Sequence, residues 1–182
     1  AFSSGECPAP AISEVVCNPV DEDTDEYVEL WFPGPGVFDI EGCRICDGDA
    51  LDVVTQWSGG DLADPDASPG RFVPPGSHAV ILDPEYAQGA QPWDFAPGTV
   101  VATVSNTTLG DGLAGTDPVL LYSAAGTGTS CVLSTYGTPL LSDDPLSCDD
   151  DGLDSIPFNP GEGLAVHRIV PSGPDSESNW VA

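Results

Sequence analysis

Lysine is absent from this sequence, and Arg44, Arg71 and Arg168 are its only permanent cations against thirty Asp and Glu. The resulting formal charge of −27 at pH 7 removes what a nucleic-acid ligand requires, because affinity for DNA or RNA comes largely from basic side chains that neutralise phosphates. The same sign argument sets anionic membranes aside. Without lysine there is no Schiff-base amine and no phosphate-contacting lysine of a nucleotide loop. Methionine is also missing, and the imidazoles are limited to His78 and His167. Neither GxSxG nor HExxH occurs. No run approaches the roughly 20 apolar residues of a membrane-spanning helix. Long helical patterns are lacking too, since 21 Gly and 19 Pro interrupt every amphipathic 3.6-residue period.

What is present argues for a folded β domain. The chain has 182 residues, 40% of them hydrophobic, with four Trp, four Tyr and six Phe, too much large apolar surface for a solvated tail. That length suits a single core. Short apolar runs recur at 11–17, 26–32, 36–46, 50–57, 78–83, 99–104, 118–123, 130–137 and 163–170. They are rich in Val, Ile, Leu, Tyr and Trp and are bounded by turn formers such as PGPG, SGG, PPG and GDG. This predicts an all-β protein of about nine strands, paired antiparallel by default in a β-sandwich. Residues 1–10 read as an irregular extension, and 138–160 as an acidic insertion between strands. Six cysteines, an even number, and a start at Ala1 rather than Met suit a protein processed after export into an oxidising compartment.

The order of the pieces AISEVVCNP, DEYVELWFPG, FDIEGCRICDGD, FVPPGSHAVILD, LGDG before VLLYSAAG, and the closing GLAVHRIVPSGPDSESNWVA resembles the lamin tail domain over residues 11–182. The resemblance implies an immunoglobulin-like antiparallel β-sandwich and, in the bacterial secreted branch of the family, a non-catalytic module on surface proteins or exported hydrolases. The filament role of nuclear lamins is not implied, because the heptads and basic runs it needs are missing here. Cys43 stands where the family commonly shows a Trp.

Several constellations invite a chemical reading. Cys43 and Cys46 form a lone CxxC within a predicted strand. Side chains three apart on a strand point to opposite faces, so the pair is expected to enter two separate disulfides. Cys131 and Cys148 flank the acidic insertion and are the easiest local pair, while Cys7, Cys17, Cys43 and Cys46 leave three connectivities. GDGLAG at 110–115 spells a dinucleotide fingerprint, but Pro118 and a β pattern follow it where a helix is required, so it is read as a turn. Glu14 and Glu29 lie in apolar strands and need a partner; Arg168 in the last long strand is the expected one, a structural ion pair that ties first, second and last strands together. Asp21, Asp23 and Asp25 begin with EF-hand spacing, but Glu26 and Phe32 occupy the positions of its Gly and Glu. Together with Asp149, Asp150 and Asp151 these acids form either irregular calcium sites or loops swollen with water. Asn106-Thr107-Thr108 is a glycosylation acceptor sequence.

The expectation is a secreted, non-enzymatic structural or adhesive module at the extracellular surface, with no cofactor other than calcium at the acidic loops. Its partner would be itself, in a homopolymer, or another surface component. The alternatives are an accessory binding domain of an exported hydrolase and a calcium-dependent carbohydrate or protein binder using exposed aromatics such as Trp57 or Trp93.

Overall fold

The computed structural model describes residues 10–20, 24–48, 50–60, 62, 64–86, 93–110, 112–113, 115, 117–124, 132–137, 160–171, 173 and 175–182. Among them there is no α-helix. Thirteen strands form: β1 (Ala11–Val16), β2 (Tyr27–Phe32), β3 (Phe38–Asp39), β4 (Arg44–Cys46), β5 (Leu51–Gln56), β6 (Ala67–Pro69), β7 (Phe72–Val73), β8 (Ser77–Leu82), β9 (Thr99–Val104), β10 (Val119–Tyr122), β11 (Val132–Tyr136), β12 (Val166–Arg168) and β13 (Trp180–Val181), with a single 3-10 turn at Glu177–Asn179. The all-β class read from the turn spacing is the observed one. The strand count is higher because 36–46 divides into β3 and β4 and because β6, β7 and β13 are too short to show a pattern.

Eleven strands share one curled sheet with the path β11-β10-β4-β5-β9-β8-β2-β1-β12-β13, and β6 adds to β9; β3 and β7 pair separately. The two halves of this sheet face each other across one core. The alternation that sends side chains to opposite faces does the sorting. In β2, Val28, Leu30 and Phe32 enter the core with Ile12, Ile45, Val54, Leu121 and Tyr136, while Tyr27, Glu29 and Trp31 face outward.

The pairing departs from the all-antiparallel expectation at β9, which runs parallel to β8 and to β6. A parallel neighbour needs a crossover, and the connection between β8 and β9 supplies it. Two described residues of this connection, Tyr86 and Phe95, pack on the outer face of the sheet with Tyr27, Val80, Leu82 and Val101 in a second apolar cluster. Tyr27 meets the rings of Trp93 and Phe95 edge-on at 5.1 and 5.6 Å. With both faces covered, β9 is buried throughout. Its nearly continuous apolar run, TVVATV, is the composition such a strand requires.

The polar turn after β9 is held by buried acids rather than by cations. Asp83 accepts the Leu109 N–H at 2.8 Å and the Glu85 N–H at 2.7 Å. Asp52 accepts the Gly110 N–H at 2.8 Å, and Glu26 the Leu113 N–H at 3.0 Å. Main-chain donors thus offset part of the cost of burying carboxylates. Gly110 has φ +65°, and a Cβ there would lie 2.1 Å from Asp47 Oδ2 and 2.6 Å from its Cγ. Asp47 cannot retreat cheaply, because it is buried and its Oδ1 accepts the Ala50 N–H. Gly110→Ala therefore combines left-handed backbone strain with a collision, and we expect a loss of about 2–3 kcal/mol, read from urea unfolding midpoints. An unchanged midpoint would contradict this packing.

Candidate functional site

Two polar regions stand out against this frame. The first is a row across the outer face of β12, β1 and β2. The register pairs His167 with Glu14 and Glu14 with Glu29, so the side chains of all three share a face. His78 of β8 pairs with Trp31 and stacks near it at 4.9 Å. Its Nδ1 faces Glu29 Oε1 at 3.0 Å, and the same oxygen accepts the Ser13 hydroxyl at 2.6 Å. The Tyr27 hydroxyl donates to Glu14 Oε1. The Ser13 hydroxyl thus donates to a carboxylate that also faces His78.

The second region lies where the curled sheet nearly closes on itself. β11 and β1 approach without a main-chain ladder between them among the described residues, and side chains bridge the seam. The Ile12 N–H donates to Ser134 Oγ at 2.9 Å. Arg168 donates through Nη2 to the Thr135 carbonyl at 2.6 Å and through Nη1 to the Pro171 carbonyl at 3.3 Å. Its guanidinium lies over the Trp180 ring, 4.5 Å from the centroid. Asp175 accepts from the Thr135 hydroxyl at 2.7 Å, from Trp180 Nε1 at 2.9 Å and from the Gly137 N–H at 3.3 Å. Beside the seam opens a groove of about 350 Å³. Pro10, Trp31, Pro33, Val132, Leu133 and Pro171 line its apolar part, and Ser134, Thr135, Arg168 and Asp175 its polar end.

These contacts correct the expected ion pair. Arg168 is buried, but neither Glu14 nor Glu29 is its partner; among the described residues the nearest carboxylate is Asp175, at 3.9 Å. The reason is register. Glu14 sits opposite His167, and the next residue, Arg168, points to the other face of β12. Burial holds the Arg168 pKa below its ordinary value, with Asp175 opposing that shift. Trp57 and Trp93 are not exposed aromatics either. Trp57 is buried and donates to the Gly60 carbonyl at 3.0 Å, and Trp93 is half-buried and donates to the Asp25 carbonyl at 3.0 Å.

The cysteine expectations divide. Cys46 is disulfide-bonded, whereas Cys17 and Cys43, expected in bridges, are free and buried. Both lie within the apolar core, where they pack as small hydrophobic groups. Burial pushes the Cys17 thiol up to about 12 and the Cys43 thiol to about 11, which suppresses the reactive thiolate. Cys7, Cys131 and Cys148 lie outside the described residues. So do Asp21, Asp23, Asp149, Asp150 and Asp151; Asp25 is described and is buried. Among the described residues no three His, Cys, Asp or Glu side chains converge as a metal site requires.

Sequence reasoning missed Asp175, Ser134 and Thr135, which carry no local signal. Asp83 did carry one: an Asp before Pro at the end of an apolar run marks a turn in which the carboxylate captures the N–H two residues on.

Two expectations follow. A maleimide should leave Cys17 and Cys43 unlabelled in the native protein and label both after unfolding without reductant, with Cys46 labelled only after reduction; peptide mapping reads this, and labelling of Cys43 in the native state would contradict its burial. The second concerns pH. Glu29 beside His78 raises the imidazole pKa against the opposing effect of burial, and desolvation raises Glu14, partly offset by the Tyr27 hydroxyl. A raised folded-state pKa contributes stability below the unfolded value that is lost as pH climbs through the folded one. Stability contributed by Glu14 should decline above about 4.5 and that by His78 above about 6.5. In urea titrations, His78→Gln should remove the upper decline relative to wild type; identical pH profiles would refute the assignment. No family model matches this chain, and neither does any curated protein or solved structure.

Proposed function

We propose that this chain is a secreted, non-enzymatic structural or adhesive module that joins a second copy, or another surface component, through the β12–β13 edge of its sheet. The observation that carries this reading is the apolar character of that edge. β13 ends the sheet path among the described residues. Ile169, Val170 and Val181 beside it are 58%, 51% and 40% exposed, and Leu164, just before β12, is 51% exposed. An unpaired strand edge flanked by exposed aliphatic side chains is a template for association. The lamin-tail resemblance points in the same direction. So does the network around Ser13, Glu29 and His78, whose groups are spent on one another.

With a charge of −27, copies repel one another until counter-ions screen them. Calcium at the acidic loops is the proposed condition of assembly. Sedimentation velocity and electron microscopy in millimolar calcium and then in chelator test this. Assembly that needs calcium and is abolished by Ile169→Glu supports the reading; a monomer under both conditions, with no binding to a cell surface, overturns it.

A further inference from the structure

The groove beside the seam points to a second capability, independent of the β12–β13 edge. Among the described residues Arg168 is the only cation that lines it, and its side chain is 4% exposed. Two of its nitrogens donate to main-chain carbonyls, which are neutral acceptors. Its Nε, also buried, has no acceptor. A buried guanidinium ordinarily recovers its lost hydration through hydrogen-bonded carboxylates. Among the described residues no carboxylate reaches Arg168 within hydrogen-bond distance. Asp175 comes nearest at 3.9 Å, but its Oδ2 accepts from Thr135 and its Oδ1 from Gly137 and Trp180. The arrangement leaves a desolvated cation with a missing acceptor at the polar end of a groove whose remaining walls are proline, tryptophan and aliphatic side chains.

We propose that this groove binds a small carboxylic acid with an apolar body, its carboxylate meeting the Arg168 guanidinium and its body lying along Trp31 and the proline walls. A cavity of about 350 Å³ is at the small end of ligand sites, which are mostly apolar with a few polar groups that fix orientation. The shared chemistry admits two sources, a free small acid or the C-terminal residue of a peptide. Carboxylate recognition follows from the missing acceptor, and preference for an apolar body follows from the lining.

Titrating the protein with N-acetylleucine and with its amide, followed by the indole N–H signals of Trp31 and Trp180, tests the idea. The acid should shift both signals and bind at least about tenfold more tightly than the amide, the factor expected for one charge-assisted contact. Arg168→Lys, which keeps the charge but loses the Nε–H, should weaken the acid by a similar factor. Because that variant acts in the core seam, Trp31→Ala serves as the second: it should weaken acid and amide alike while circular dichroism stays unchanged. A peptide ending in free leucine that binds more tightly than N-acetylleucine identifies a chain end as the source, and equal binding identifies a free acid; both uphold the site. Equal binding of acid and amide, or no shift from either ligand at about 10 mM, well above the millimolar affinity of a single weak contact, overturns it.

Discussion

The closing of the sheet on itself by side chains is the constraint on which the other features rest. A curled sheet that ends at β11 and β13 leaves main-chain groups at its seam, and buried groups of this kind cost free energy unless they find partners. Here Ser134 takes the Ile12 N–H, Arg168 takes the Thr135 carbonyl, and Asp175 takes the Thr135 hydroxyl and the Gly137 N–H. Side-chain bonds reach across gaps that a regular ladder cannot span. They also leave room beside the seam, and the groove exists for that reason. The Trp180 ring ties the region together: its face carries the Arg168 cation, its edge donates to Asp175, and it packs edge-on with Tyr136 at 4.8 Å.

A chain with thirty acids and three arginines cannot neutralise its carboxylates pairwise. Arg71 serves Asp39 and Glu41 in an exposed cluster, which contributes little in water. The buried acids are managed differently. Asp52, Asp83 and Glu26 accept main-chain N–H groups of the turn after β9, so that acids act as anchors for loops. Burial raises the Asp83 pKa even against these donors, a measure of how far desolvation prevails at that position. In the outer row hydroxyls and an imidazole meet the acids: Tyr27 donates to Glu14, and Ser13 and His78 face Glu29.

Strand positions were legible to a large degree. Each of the nine apolar runs contains an observed strand, since alternation and turn chemistry are local properties. What stayed hidden were partners. Glu14, Glu29 and Arg168 all lie in apolar strands, which suggests a common ion pair, yet Glu14 stands opposite His167 and successive side chains of a strand face opposite sides. Cys17 and Cys43 looked like bridge formers because six cysteines suggest pairing, but whether a thiol meets another depends on which strands pack against it.

By itself the sequence determined the β class, the places of the long strands and the strongly negative net charge, all of which depend on composition or on local patterns. Only the tertiary structure decided which acids met which donors and where the groove would open. The Ile12–Ser134 bond joins positions 122 residues apart. Contacts of that range arise from curvature, crossover and register summed over the whole sheet, and no local pattern encodes that sum.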